Sequence, residues 1–219
     1  AGAANAQTPG SWNTIPEGGG TAAQDFTTDG DIFIIPVGIS GTASGIWDFG
    51  WDGTGGKVSV TMTINGTLTF SSGTVFTLRA KNTGLAQVTV AAGGKVVFEG
   101  NATVVSGNVT GNADITDLQF ILSDGAIVST AHPDGITGSI DTTQVTLNLG
   151  AVAYEYTGSA TLDLGPATII GDLLVGGTTN LTATGALDIS GDLIVESGAT
   201  FNGGSFTHTI AGNIDVDGT

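Results

Sequence analysis

The side chains best suited to acid–base chemistry are the two histidines, His132 and His208. His132 lies in Ala-His-Pro-Asp-Gly, which has the composition of a turn, and His208 alternates with threonines in a strand-like run. The chain contains no Cys and no nucleophile-elbow, zinc-protease or phosphate-loop motif. We therefore interpret both histidines as structural and predict that the protein is not an enzyme.

Oxygen-rich turns make calcium the one cofactor that the sequence suggests. Asp25, Asp29 and Asp31 are spaced like the start of a calcium loop, but the acidic third position is absent. Pro36 also stands where the bidentate Glu belongs. Since aspartates in turns ordinarily hydrogen-bond to the local backbone, we favour a turn role for these three residues and predict no resident cofactor, with calcium as the alternative.

Two tryptophans provide a candidate carbohydrate site. The segment Gly-Ile-Trp-Asp-Phe-Gly-Trp-Asp-Gly places Trp47 and Trp51 two residues either side of Phe49. Their rings could stack on sugars while Asp48 and Asp52 accept hydrogen bonds from sugar hydroxyls. However, Trp47, Phe49 and Trp51 share one strand face, so they are buried or exposed together. We favour burial as an apolar cap, with carbohydrate binding as the alternative.

The charge balance excludes nucleic acid as a partner. Asp and Glu number 20 and Lys and Arg only 4, giving a formal net charge of −16. The cations are Lys57, Arg79, Lys81 and Lys95, too few to displace counterions from a phosphate backbone. Most of the surface is nevertheless uncharged, because charged residues form only 11% of the chain.

Composition also predicts which elements must position these side chains. Gly costs about 1 kcal/mol relative to Ala inside a helix, and the longest Gly-free stretch covers only residues 112–124. Short Val/Ile/Thr/Phe runs separated by Gly-containing turns are typical of β proteins. No apolar run approaches the roughly 18 to 20 residues of a membrane helix, so we predict an all-β chain without a membrane span.

A short repeat indicates the architecture. Gly-Asp-Leu-Leu-Val begins at Gly171, and related units begin at Gly191 and Gly212, offset by 20 and 21 residues. Two further units begin at Gly66 and Gly94. The third and fifth positions are apolar and the fourth varies, which predicts a strand with one buried and one wetted face. We expect the glycine to mark a sharp backbone turn.

Units of about 20 residues that cannot bury their own apolar faces must stack on one another. We therefore predict a right-handed parallel β-helix (β-solenoid) of roughly eight to ten coils, about 40 to 50 Å long. Residues 1–56 contain all three Trp and three of the five Pro, and we predict a tail and an irregular N-terminal cap there. Residues 57–219 form the predicted repeat region.

The two ends suggest association. A final repeat unit has begun before Asp217, so we expect further coils or another subunit to follow it. We also predict that the small, polar N-terminal tail adds a strand to a neighbouring subunit. The residues of this tail are Ala1, Gly2, Ala3, Ala4, Asn5, Ala6 and Gln7. Ala4-Asn5-Ala6 matches the A-x-A signature of a leader cleavage site, which predicts export.

Several segments together resemble a known class of proteins. Asp31-Ile-Phe-Ile-Ile-Pro36, Ile64-Asn-Gly-Thr-Leu-Thr-Phe70 and Ser190-Gly-Asp-Leu-Ile-Val-Glu-Ser-Gly-Ala-Thr-Phe201 are similar to segments of secreted, Gly/Thr-rich β-helical surface proteins of Bacteroidota-type bacteria. The resemblance implies a secreted or cell-surface location and an adhesin-like or structural role.

From these observations we expect a non-catalytic, extracellular structural or adhesive surface protein. The first alternative is a filament subunit that joins its neighbours by strand addition at the coil ends. The second is a carbohydrate-binding or polysaccharide-degrading β-helix protein. The expected partners are further coils or copies of the same protein, and surface polysaccharide in the second alternative.

Overall fold

The computed structural model describes residues 4–5, 26–50, 59–80, 84–107, 118–158, 161–163 and 169–219. Within these residues the chain forms 22 short strands and one five-residue helix. All strand pairs in the four sheets are parallel. Nearly all consecutive strands belong to different sheets, and each sheet pairs strands of successive turns, so the chain winds through stacked coils. The predicted all-β, parallel β-helix is confirmed.

Two sheets cover most of the coil surface. Sheet 1 contains β2 (Ile32–Ile35), β5 (Val60–Ile64), β8 (Ala86–Val90), β11 (Leu118–Leu122) and β13 (Thr146–Leu149). Sheet 2 runs the length of the stack and contains β1 (Ala4–Asn5), β3 (Ser40–Ala43), β6 (Thr67–Phe70), β9 (Lys95–Phe98), β12 (Ile127–Thr130), β14 (Val152–Tyr156), β16 (Ile169–Val175), β18 (Asp188–Ile189), β19 (Leu193–Val195), β21 (Thr209–Ile210) and β22 (Ile214–Val216).

Two smaller sheets close the remaining side of the coils. Sheet 3 lies in the N-terminal half and contains β4 (Ile46–Gly50), β7 (Val75–Arg79) and β10 (Thr103–Ser106). Sheet 4 lies in the C-terminal half and contains β15 (Thr161–Asp163), β17 (Asn180–Thr182) and β20 (Thr200–Asn202). The helix α1 (Gly135–Ser139) lies between β12 and β13 in the sequence.

The coils have two sizes. Along sheet 2, paired residues are 26 to 32 positions apart from β3 to β14 and 18 to 21 apart from β14 to β22. The predicted unit of about 20 residues therefore describes only the C-terminal coils. The wider coils also contain a separate strand of sheet 1, and one of them contains α1.

Core composition follows coil size, because a wider cross-section needs larger side chains to reach native packing density. Among a larger number of aliphatic residues, the strands of the wide coils bury the aromatic residues Phe33, Trp47, Phe49, Phe70, Phe76, Phe98 and Phe120. The narrow coils bury smaller aliphatic residues, namely Leu173, Val175, Leu181, Ala183, Leu187, Ile189, Leu193, Val195 and Ala199. Tyr154 and Tyr156 lie at the junction between the two halves.

The repeat unit occupies the same place, on sheet 2, in each coil that contains it. Its third and fifth residues point into the core, as Leu68 and Phe70 do in β6. The repeat glycine has a different role from the one predicted. The φ angles of Gly66 and Gly94 lie outside the left-handed region, and a Cβ on Gly94 would overlap the carbonyl oxygen of Ile64. Glycine is needed here for close approach to the preceding coil, not for a sharp turn.

Left-handed glycines and buried threonines lie at a neighbouring corner. The turn from Ser71 to Thr74 is closed by the Thr74 N–H donating to the Ser71 carbonyl at 2.9 Å, with φ of +81° at Gly73. The buried Thr74 hydroxyl lies 2.6 Å from the Ser71 carbonyl and 3.1 Å from the carbonyl of Ala43 in the coil before. The buried Thr179 hydroxyl donates to the carbonyls of Tyr156 and Gly158, both in the coil before it. These threonines therefore join one coil to the next.

The first coil lies within the segment predicted as a cap. β2, β3 and β4 cover residues 32–50 and pair in register with β5, β6 and β7. Phe33 and Ile35 point inward and alternate with exposed isoleucines, which is the pattern of an ordinary coil strand. Among the described residues, coil strands thus already occur at Ile32, ahead of the expected boundary at residue 57.

Candidate functional site

Trp47, the first carbohydrate candidate, lies in the core. It is 3% exposed, and its ring centroid is 4.7 Å from that of Phe76 and 5.1 Å from that of Phe26. A ring enclosed in this way has no open face for a sugar, so the packing supports the buried interpretation. Trp51 and Asp52, the other ring and carboxylate of that site, lie outside the described residues.

Asp48, which follows Trp47 on β4, faces outward and forms an ion pair. Its Oδ1 accepts a hydrogen bond of 3.0 Å from Nε of Arg79 on the next coil. A second pair joins Lys95 on β9 to Glu155 on β14 at 2.5 Å and so crosses the intervening strand β12. Both described cations are therefore engaged in links between coils rather than presented to a ligand.

The calcium candidates also act between coils. Asp29 Oδ1 accepts a hydrogen bond of 2.7 Å from the backbone N–H of Ser59, one coil further on. The Asp31 carbonyl accepts a backbone hydrogen bond from Thr61 at 3.1 Å, and Asp25 lies outside the described residues. No group of three or more His, Cys, Asp or Glu residues suited to a metal ion occurs in the part of the chain that the structure describes.

The contact that Asp29 makes, a carboxylate accepting a backbone N–H of the next coil, recurs at other aspartates. Asp124 Oδ1 accepts the N–H of Ala151 at 2.8 Å, Asp172 that of Asp192 at 2.8 Å, and Asp192 that of Asn213 at 2.7 Å. We call this set of coil-to-coil contacts the aspartate clamps. Sequence reasoning found the Gly-Asp and Gly-Asn dipeptides of the last three repeats but missed this role, because each backbone donor lies 20 or more residues away in the chain.

Both histidines form hydrogen bonds with backbone groups. His132 Nδ1 accepts the backbone N–H of Asp134 at 3.0 Å. His208 Nδ1 accepts the N–H of Leu187 at 3.2 Å, and its Nε2 lies 2.8 Å from the carbonyl oxygen of Gly203. A carbonyl can only accept, so Nε2 carries the proton in this arrangement. Each ring holds a turn or a corner in place.

The N-terminal tail pairs with its own chain. Strand β1 (Ala4–Asn5) lies parallel to β3, with Ala4 opposite Gly41 and Asn5 opposite Thr42. The other predicted tail residues, 1–3 and 6–7, lie outside the described residues. This pairing covers the sheet 2 edge of the first coil. Pairing of the tail with a neighbouring subunit stays a prediction.

One lateral surface stands out by its chemistry. The outward positions of sheet 1 form two files of five residues in register across the five strands. We call this surface the uncharged face. Its residues are Ile32, Thr61, Gln87, Gln119 and Thr146 in the first file and Ile34, Thr63, Thr89, Ile121 and Asn148 in the second.

None of these ten side chains carries a charge, although the chain has a net charge of −16. Sheets 2 and 3 differ, because the outward positions of sheet 2 include Lys95 and Glu155 and those of sheet 3 include Asp48 and Arg79. Within the uncharged face, Gln87 Nε2 donates a 3.0 Å hydrogen bond to Thr89 Oγ1. The result is a patch of amides, hydroxyls and three isoleucines.

Comparison with protein-family models, with curated proteins and with solved structures returned no match. Among the described residues, no helix combines the length and the apolar character needed to cross a bilayer.

Proposed function

We propose that this chain is a non-catalytic structural element of an extracellular surface, in which the stacked coils form a rigid spacer and their lateral faces make adhesive contacts. The observation that carries the proposal is the continuity of sheet 2, whose strands stay paired through eight coils from β3 to β22. At a strand separation of about 4.8 Å, the stack is about 35 to 40 Å long.

Links between coils support a mechanical role. Besides the backbone hydrogen bonds of the sheets, the aspartate clamps, the buried corner threonines and two ion pairs join successive coils or span more than one. In stacked-repeat proteins each unit is stabilised by its neighbours. Side-chain links at several corners therefore resist bending and shearing of the stack.

Export is supported by the sequence. The A-x-A signature at Ala4-Asn5-Ala6 and the resemblance to Gly/Thr-rich surface proteins both favour a location outside the cell. A surface that is acidic overall and sparsely charged elsewhere limits nonspecific association.

Antibodies raised against the purified chain provide the test on cells of the source organism. We expect intact cells to be labelled as strongly as permeabilised ones, and deletion of the gene to reduce attachment or to alter the surface layer seen by electron microscopy. Labelling only after permeabilisation would exclude the proposal. Turnover of a polysaccharide by the purified chain would favour the enzymatic alternative.

Exposed residues of the last described coil favour a second candidate, a subunit or segment that is extended by another coil. Ile214 and Val216 occupy the inward positions of β22 but are 62% and 50% exposed. A further parallel strand paired with β22 would cover them. Sedimentation velocity over a hundredfold concentration range tests this candidate, because Val216→Lys should abolish any concentration-dependent assembly.

A further inference from the structure

We infer that the uncharged face binds a neutral polysaccharide. The inference rests on the proposed adhesive role and adds to it a specific surface and a class of ligand. It also moves the carbohydrate hypothesis away from Trp47, whose ring is buried, to the outward side of sheet 1.

The net charge of the chain favours an uncharged ligand over an anionic one. A chain of net charge −16 repels polyanions, including nucleic acids and uronate polymers, and the two described cations are already paired with carboxylates. An uncharged ligand meets no such repulsion at a face that lacks carboxylates. Hydroxyl and amide side chains can both donate and accept hydrogen bonds, which suits a partner whose surface consists largely of hydroxyl groups.

The regular spacing and restricted side-chain rotamers of the uncharged face preorganise it for binding. Its residues stand in register, about 4.8 Å apart between strands and about 6.8 Å apart along a strand. The β-branched side chains, which include Thr61, Thr63 and Thr89, have restricted χ1 rotamers. Binding therefore costs little side-chain entropy. Ile121, which lies between Thr89 and Asn148 in the second file, adds an apolar contact for the C–H side of a sugar ring.

Area argues against a second copy of the chain as the occupant. Five strands with two outward residues each cover about 330 Å² by the strand spacing, whereas a stable protein interface buries about 800 Å² on each partner. An extended polymer differs because it continues past the protein and engages many copies at once, so that weak contacts at each face combine.

A matched pair of variants tests the inference. Thr89→Glu places a carboxylate at the centre of the uncharged face, and Thr69→Glu places one at an equivalent outward strand position on sheet 2. Binding is measured by co-sedimentation with microcrystalline cellulose, insoluble β-1,3-glucan, mannan and chitin, with polygalacturonate as the acidic comparison. We expect wild type to bind at least one neutral polymer and not polygalacturonate. Thr89→Glu should weaken binding at least tenfold, and Thr69→Glu less than twofold.

Circular dichroism and the melting temperature establish that both variants are folded. Failure of wild type to bind any neutral polymer would overturn the inference, as would equal losses in the two variants. A wild-type dimer that Thr89→Glu converts to monomer would assign the face to self-association instead. None of these results affects cell-surface labelling, so failure of the inference is distinguishable from failure of the proposed function.

Discussion

Two buried aromatic residues have polar atoms without hydrogen-bond partners in the described part of the chain, and this lowers the stability of the stack. Tyr154 is buried at the junction of the wide and narrow coils, and among the described residues its hydroxyl has no hydrogen-bond partner. Trp47 Nε1, on β4 in the first coil, likewise has no hydrogen-bond partner among the described residues. A buried polar group without a partner costs about 1 to 3 kcal/mol. The aromatic rings are thus retained for their volume, and their polar atoms lower stability.

Replacing Tyr154 by Phe should raise the free energy of unfolding by about 1 kcal/mol at pH 7, because the ring remains and the unpaired hydroxyl is removed. Burial also raises the pKa of Tyr154 above its ordinary value of 10.0. The unfolded chain therefore loses this proton first, so the stability associated with Tyr154 is complete below pH 10 and falls as the pH rises further. Urea titrations at pH 7 and pH 11 measure both effects.

Tyr154→Phe should lose less stability than wild type between these two pH values. An equal loss in both proteins would show that other groups govern unfolding at alkaline pH.

Close approach between coils gives a second residue-scale prediction. Gly94→Ala should lower the free energy of unfolding by about 2 kcal/mol, because the added Cβ meets the Ile64 carbonyl and the strands must separate. Gly185→Ala is the matched control, since a Cβ there meets nothing within 4 Å and the φ angle is not left-handed. Thermal melts of both variants suffice. Equal melting temperatures would disprove the close-approach role of the repeat glycine.

At the scale of elements, strands of this fold are joined at their corners by the aspartate clamps. Each clamp supplies a carboxylate acceptor to a backbone N–H that starts the next coil, as Asp172 does for Asp192. The strands are as short as two or three residues in the C-terminal half, so their own ladders contain few hydrogen bonds. Corner contacts therefore contribute a larger share of the stability of the C-terminal coils.

Removing one clamp should have a measurable cost. Asp192→Ala should destabilise the protein by about 1 kcal/mol, because the Asn213 N–H and side-chain amide lose their shared acceptor. Asp192→Asn retains an acceptor oxygen and should lose less. Asp188→Ala changes an exposed aspartate on β18 and should stay within about 0.5 kcal/mol of wild type. If all three variants melt alike, the clamps are not stabilising.

The molecule as a whole is a one-dimensional stack, and its parts differ in how well each is supported. Coils in the middle contact a coil on either side, whereas β22 pairs only with β19 among the described strands. The first coil is better protected, because β1 pairs with β3 and Phe26 packs on Phe33 and Trp47. Stability should therefore decline from the centre toward β22.

Hydrogen exchange measured by mass spectrometry should reveal this gradient. Peptides that cover β9 and β12 should exchange slowest, and peptides that cover β21 and β22 should exchange at least tenfold faster. Val216→Lys should leave the central peptides unchanged. Uniform protection along the stack would mean that the coils unfold as one unit and that the nearest-neighbour description is wrong.

Much of this whole-molecule picture could be predicted from the sequence, because solenoid strands repeat a local pattern. The units that begin at Gly66, Gly94, Gly171, Gly191 and Gly212 all lie in sheet 2, with their third and fifth residues inward. Coil size could not be predicted, because three of the five strands of sheet 1, β5, β11 and β13, have no glycine two residues before them. The uncharged face was likewise missed, since it exists only once strands 26 to 32 residues apart are placed in register.

The difference in length between two neighbouring coils has a consequence for how such a chain can change over time. Lys95 and Ile127 are paired although 32 residues separate them, whereas the next pair, Ile127 and Ala153, is 26 residues apart. The six-residue difference leaves β9, β12 and β14 paired in register. Connections between the strands of a coil can therefore change length without disturbing the stack, which makes them natural places for evolution to add new loops and for protein engineers to graft peptides.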